Sequence, residues 1–120
     1  MLLQKILTQF LQYIWGMERI EKIKQMLESQ PNDAFLLHAF ALESKKAGNL
    51  IVARDTLMSL LEKQPDYVGS YYHLAAILQE LSQTVEAIDW YEKGMEAAKK
   101  AGDTHAFNEL RAAYDECIDL

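Results

Sequence analysis

A pattern of glutamine, proline and a short polar residue occurs twice in the chain, 34 residues apart, as Gln30-Pro31-Asn32 and Gln64-Pro65-Asp66. Other positions recur at the same offset and keep their size, since small residues align with small ones and large residues with large ones. The recurring pairs are Leu37 and Tyr71, Phe40 and Leu74, Ala41 and Ala75, Ala53 and Ala87, and Leu57 and Tyr91. Such a period is typical of repeat proteins, in which each unit buries its apolar side only against its neighbours.

The spacing of the apolar residues predicts that each unit consists of helices. Apolar side chains recur at intervals of three and four, and no segment alternates apolar and polar residues over the length of a strand. The predicted helices cover residues 2–14, 17–29, 33–47, 50–63, 67–81, 84–100 and 103–118. Because the predicted connections are only two to four residues long, successive helices are expected to be antiparallel neighbours. The predicted fold class is therefore all-α.

Prolines and glycines predict where several helices begin and end. Pro31 and Pro65 cannot continue the helices before them, because proline lacks the backbone N–H and clashes with the preceding turn. The short polar residues that follow are the predicted N-caps of the next helices; these are Asn32 and Asp66. Two glycines are predicted to end helices in the left-handed conformation; these are Gly48 and Gly102.

Two stretches of the chain share one set of large and small residues. The first has Leu37, Phe40, Ala41, Ala53, Leu57 and Pro65, and the second has Tyr71, Leu74, Ala75, Leu78, Ala87 and Tyr91. This set resembles the tetratricopeptide repeat, which carries large, small, aromatic and proline residues at fixed spacing. The resemblance implies an α-α superhelix, a right-handed solenoid of antiparallel helix pairs. Three positions depart from the pattern: Ser44 replaces an aromatic residue, Leu60 a small one and Lys99 a third proline.

The same period predicts how the chain is organised. We expect a single domain over 1–120, in which 34–67 and 68–101 are the two clear repeats and 1–33 is a degenerate helical hairpin. Residues 103–118 form an amphipathic helix, and its apolar face is expected to cover the open end of the stack as a cap. The apolar face of this cap includes Ala106, Leu110, Ala113 and Cys117.

Charge and cysteine content exclude several classes of protein. The chain has 12 Lys and Arg against 18 Asp and Glu, a formal net charge of −6. Such a chain lacks the positive charge that supplies most nucleic-acid affinity, so we expect no DNA or RNA partner. A single cysteine, Cys117, excludes an internal disulfide framework and favours a reducing, cytoplasmic location.

The sequence contains no combination of residues typical of an active site. The three histidines are His38, His73 and His105, and none pairs with another at the i, i+4 spacing of a helical metal site. His38 and His73 lie 35 residues apart, one off the repeat period, so their side chains are predicted to point in different directions. No glycine-rich loop precedes a helix to hold a phosphate. We therefore expect a non-enzymatic protein without metal or cofactor.

The resemblance implies that one face of each repeat's first helix lines a concave groove, where members of the family bind partner segments. The residues beside the buried stripe of these helices are the groove candidates: Phe35, His38, Leu42, Lys45, Tyr72, Ala76 and Gln79. Family members that hold the carboxylate tails of chaperones carry Lys, Asn and Arg at groove positions where this chain has His38, Leu42, Tyr72 and Ala76. The predicted function is a scaffold or adaptor that binds a protein or peptide segment other than such a tail.

Residues 1–15 are the most apolar stretch and predict an amphipathic helix rather than a membrane span. Apolar side chains occupy one face and polar ones the other; the apolar set includes Leu3, Ile6, Leu7 and Phe10. This face suggests an alternative function, self-association through residues 1–15, and a variant in which the helix lies on a membrane surface. Met17 follows Gly16 and is a second candidate start.

Overall fold

The computed structural model describes residues 1–119 and consists of six helices. They are α1 (Leu2–Ser29), α2 (Ala34–Lys46), α3 (Leu50–Lys63), α4 (Gly69–Glu80), α5 (Thr84–Ala101) and α6 (Thr104–Ile118). Residues 1–119 contain no strand. The predicted all-α class is confirmed.

Each helix packs against the next one in the chain, and α4 also contacts α6. Helices α2 and α3 form one helical hairpin, and α4 and α5 form the second. The four alanines that recur at the 34-residue period have no exposed surface; they are Ala41, Ala53, Ala75 and Ala87. Because alanine adds no bulk beyond its methyl group, paired helices approach closely at these positions.

The core lies where the two hairpins meet. Leu57 and Leu60 from α3 are completely buried, as are Leu74 and Ile77 from α4. Leu60 departs from the repeat pattern by its size, and the structure accommodates it in this core. The equivalent position in the next repeat is Gly94, where α5 approaches Tyr71 and Leu110 closely. The two repeats therefore have the same arrangement of helices, but neighbouring helices approach more closely at Gly94 than at Leu60.

Helix ends confirm the glycine predictions and correct the N-caps. Gly48 and Gly102 have φ angles of +86° and +70°, in the left-handed region. The N-cap of α2 is Asp33, whose carboxylate accepts a hydrogen bond from the Leu36 backbone N–H at 2.9 Å. The prediction of Asn32 is wrong because α2 begins one residue later, at Ala34.

The prediction of Asp66 as an N-cap is also wrong. Helix α4 begins at Gly69, and its N-cap position is held by Val68, which makes no side-chain capping bond. Asp66 thus lies three residues before the helix, too early to reach its first free N–H groups. The turn closes through backbone instead, since the Val68 N–H donates to the Asp66 carbonyl at 2.9 Å.

The N-terminal segment differs most from the prediction. Residues Leu2–Ser29 form one helix, so the predicted hairpin over 1–33 is wrong. Neither proline nor a turn-forming pair interrupts this stretch, and a single glycine, Gly16, costs a helix only about 1 kcal/mol. Ile20, Ile23 and Leu27 are half-buried, and α1 packs on α2.

The predicted amphipathic cap exists as α6, and it covers the end of the stack. Helix α6 packs on α5 and α4, and its Leu110 and Cys117 side chains are buried. Its Phe107 and Tyr114 pack against the core. No helix within residues 1–119 has the length and hydropathy that crossing a membrane requires.

Candidate binding groove

Side chains of α2 and α4 meet along the surface where the groove is predicted. The rings of His38 and His73 lie edge to face with their centroids 5.2 Å apart. His38 Nδ1 shares a 2.7 Å hydrogen bond with Ser70 Oγ. At the other end of the two helices, Lys45 Nζ lies 3.4 Å from Glu80 Oε1. These contacts join the first helices of successive repeats side by side.

The contact between His38 and His73 corrects the prediction that they point apart. In the 34-residue register the equivalent of His38 is Tyr72, and His73 follows it. One residue turns a side chain by about 100° around a helix. Because α2 lies beside α4 rather than in line with it, this turn directs His73 toward α2. His73 is not among the predicted groove candidates, but its ring lies against that of the candidate His38.

Burial lowers the pKa of both histidines. For His38 the main cause is desolvation, and the proximity of His73 lowers its pKa further. The pKa of His73 is lowered by desolvation first and by Lys45 second, while Glu109 of α6 acts in the opposite direction. At neutral pH both imidazoles are therefore uncharged, and each can donate or accept hydrogen bonds.

Tyr72 provides the exposed aromatic surface beside the histidines. Its side chain is 42% exposed, and its ring packs edge-on against His73 and Tyr91. The adjacent Tyr71 is buried instead, and its hydroxyl donates to the Pro65 carbonyl at 2.6 Å. Adjacent residues of a helix point about 100° apart, so only one of these two tyrosines lies in the core stripe.

The remaining candidates are spread along the same two helices. Leu42 and Ala76 are half-buried. Gln79 Oε1 accepts a 2.6 Å hydrogen bond from the Tyr91 hydroxyl, which ties α4 to α5. Phe35 is 70% exposed at the start of α2, and it belongs to none of the ring contacts found in residues 1–119. The groove cluster, defined as His38, Lys45, Ser70, Tyr72, His73 and Glu80, thus contains three of the seven candidates.

A second concavity lies outside the groove cluster. It is an open cleft of about 620 Å³ between the end of α3, the α3–α4 turn and α5. Leu61, Pro65 and Trp90 form part of its apolar lining. The Lys93 ammonium lies 4.4 Å from the centre of the Trp90 ring and also pairs with Asp89 at 3.1 Å. Lysines and carboxylates both line the cleft, so its charge favours no class of ligand.

The structure shows where the groups with reactive potential lie. Cys117 is buried in the interface of the cap, as the sequence predicts. Within residues 1–119, no group of three or more His, Cys, Asp or Glu side chains is arranged to hold a metal ion. The contacts seen in the groove cluster include a hydrogen bond between His38 and Ser70 and the ring contact of Tyr72 with His73.

Comparison with known structures identifies the family. The solution structure of a tetratricopeptide repeat domain protein from Salinibacter ruber is 38% identical to this chain, with a TM-score of 0.72. The match covers 75% of this chain and 91% of that protein. The chain belongs to the tetratricopeptide repeat family. The predicted superhelix of helix pairs is thereby confirmed.

Two more distant tetratricopeptide repeat structures share the fold. The Sgt2 TPR domain from Aspergillus fumigatus has a TM-score of 0.74 at 19% identity, and the match covers 93% of this chain and 74% of that domain. The first TPR of Spaghetti (RPAP3), bound to the HSP90 peptide SRMEEVD, has a TM-score of 0.68 at 20% identity. That match covers 88% of this chain and 82% of the other. Neither the family models nor the curated proteins contain a match to the chain.

Proposed function

We propose that this tetratricopeptide repeat protein is a non-enzymatic interaction module that binds a helical or extended segment of a partner protein in the groove. The observation that carries the proposal is the groove cluster, in which α2 and α4 together present two uncharged imidazoles beside a half-exposed tyrosine. Aromatic side chains of this kind dominate binding energy at protein interfaces. The first TPR of Spaghetti, which binds an HSP90 peptide, supports peptide binding as a use of this fold.

The charges of the groove cluster favour a partner segment that is not an acidic tail. Lys45 already pairs with Glu80, and Lys46 lies 3.6 Å from Glu43 Oε1. The lowered pKa values of His38 and His73 keep both rings neutral at pH 7. We therefore propose that the segment contributes an apolar or aromatic side chain that packs on Tyr72, together with backbone groups that hydrogen-bond the imidazoles.

Peptide display followed by direct binding measurements tests this proposal. Peptides selected on the wild-type chain are measured by calorimetry against wild type and the double variant His38→Ala/Tyr72→Ala. Loss of two central aromatic contacts is expected to weaken binding by at least about tenfold, since each 1.4 kcal/mol corresponds to a factor of ten. Circular dichroism should show unchanged helicity, because Tyr72 is exposed and His38 only half-buried.

The matched control removes exposed apolar surface elsewhere. Ile51→Ala/Val85→Ala alters two residues of α3 and α5 that are 49% and 78% exposed, and it is expected to bind the selected peptides like wild type. The peptide SRMEEVD is expected to bind no better than a scrambled peptide of the same composition. Equal affinity of wild type and His38→Ala/Tyr72→Ala would show that the groove assignment is wrong.

A further inference from the structure

The N-terminal half of α1 is an apolar helix that has no packing partner within residues 1–119. Every residue from Met1 to Tyr13 is exposed, and no residue of α1 is fully buried. With 28 residues the helix is about 42 Å long, whereas α2 through α6 have 12 to 18 residues each. Half-buried apolar residues lie mainly in the second half of α1, such as Ile23 and Leu27; in the first half Ile14 alone is half-buried.

The apolar residues of this half have the spacing of a helix-pairing seam. Leu3, Leu7, Phe10, Ile14 and Met17 follow one another at alternating intervals of four and three. This interval is that of the a and d positions of a coiled coil, where side chains of one helix fit between those of another. Within residues 3–13 the side away from the seam carries the polar residues Gln4, Lys5, Thr8, Gln9 and Gln12, and the exposed Trp15 follows on the same side.

The exposed area of this surface is close to what a stable dimer requires. Leu3 is 70% exposed, Phe10 58% and Leu7 52%. Ile6, Tyr13 and Met17 beside them are about half exposed. These six side chains together expose roughly 700 Å² of surface. A standard interface buries about 800 Å² per partner. A patch of this size on a single helix is therefore large enough to bind another folded chain.

We propose that a second copy of this chain covers the seam, so that two α1 helices pair across a two-fold axis. An isologous interface needs only one self-complementary patch, and the seam supplies it. Because the seam carries no charged residue, two copies can meet without burying an unpaired charge. A membrane surface is a poorer match, since Lys5 is the only cation in the first half of α1 and the chain has a net charge of −6.

This surface is separate from the groove cluster, so the proposal does not depend on the proposed function. The groove cluster lies on α2 and α4, and the seam lies on the part of α1 that projects beyond the stack. A dimer of this kind displays two grooves and would bind a partner with two matching segments more tightly than one groove alone.

Sedimentation equilibrium of the full chain tests the proposal. At tens of micromolar, wild type is expected to have twice the mass of one chain, which is 13.8 kDa. Leu7→Glu/Phe10→Glu places two charges in the seam and is expected to raise the dimer dissociation constant at least a hundredfold. The control Gln9→Glu/Gln12→Glu adds the same charge to the face that points away from the seam and should remain dimeric. Because residues 1–13 are exposed, circular dichroism should show both variants folded.

Three outcomes would overturn the proposal. The first is a monomeric wild type at every concentration, and the second is a dimer that survives Leu7→Glu/Phe10→Glu. The third is an equal loss of the dimer in the seam variant and in its control, which would indicate a general charge effect. Co-sedimentation of a monomeric wild type with phosphatidylcholine and phosphatidylserine vesicles would instead assign the seam to a lipid surface. A dimeric His38→Ala/Tyr72→Ala variant that has lost peptide binding would confirm that the two surfaces act separately.

Discussion

Gly94 is the position where a single methyl group most directly tests the packing of the repeats. It lies in α5 at the point where α4 and α6 both approach. A methyl group at this position would lie 2.7 Å from Tyr71 Cβ and 3.1 Å from both terminal carbons of Leu110. Tyr71 Cβ is fixed to the α4 backbone, so no change of rotamer relieves the contact, and the helices themselves must move apart.

Two opposing effects set the expected magnitude for Gly94→Ala. Alanine favours a helix over glycine by about 1 kcal/mol. Overpacking a tightly filled interior costs about 1–3 kcal/mol. Because the closest contact involves a backbone-anchored carbon, we expect a packing cost in the upper part of this range, about 2–3 kcal/mol, which exceeds the helix gain. The free energy of unfolding should fall by about 1–2 kcal/mol, which lowers Tm by roughly 3–8 °C for a domain of this size.

Urea unfolding followed by circular dichroism, at one fixed protein concentration, measures this difference. Gly16→Ala is the matched control, because Gly16 is also inside a helix but a methyl group there meets nothing within 4 Å. We expect this control to be as stable as wild type or more stable by up to about 1 kcal/mol. A Gly94→Ala variant as stable as wild type would refute the close packing at the junction of α4, α5 and α6.

Three further predictions concern titration and capping. The pKa values of His38 and His73 are lower in the folded chain than the ordinary value of 6.5, so the unfolded chain binds protons at a higher pH than the folded chain does. The free energy of unfolding should therefore fall as the pH drops below 6.5. Replacing both histidines with Asn should flatten this part of the curve of stability against pH. Asp33→Ala should lower the free energy of unfolding by about 1 kcal/mol through loss of the α2 cap, whereas Asn32→Ala should lower it less in the same urea unfolding experiment. Burial, reinforced by nearby groups, raises the pKa of Tyr91 to about 12; ultraviolet titration should show one tyrosine signal that ionises last and disappears in Tyr91→Phe.

Features set by the repeat could be read from the sequence. The alanines at the 34-residue period are buried at the helix contacts, because their spacing and size are both visible in the chain. Gly48 and Gly102 have positive φ as predicted, since this conformation is one that glycine adopts without strain. The alanine pattern thus depends on chemistry repeated at a fixed interval, and the glycine conformations depend on local backbone chemistry alone.

Features that depend on how helices lie in space were missed. The contact of His38 with His73 follows from the lateral packing of α2 on α4, which no periodicity along one helix reveals. The N-cap of α2 is Asp33 rather than the predicted Asn32. A difference of one residue in where a helix begins decides which side chain reaches a free N–H group. Gly16 lies within α1, where the helix tolerates its small cost.

The most direct test of the account is to map a display-selected peptide on the ¹⁵N-labelled chain by nuclear magnetic resonance. We expect the largest chemical-shift changes at the backbone of His38, Tyr72 and His73. The indole N–H signals of Trp90, which lines the cleft between α3 and α5, and of Trp15 on α1 should stay in place. Changes centred on Trp90 or Trp15, with the α2 and α4 signals unmoved, would contradict the account.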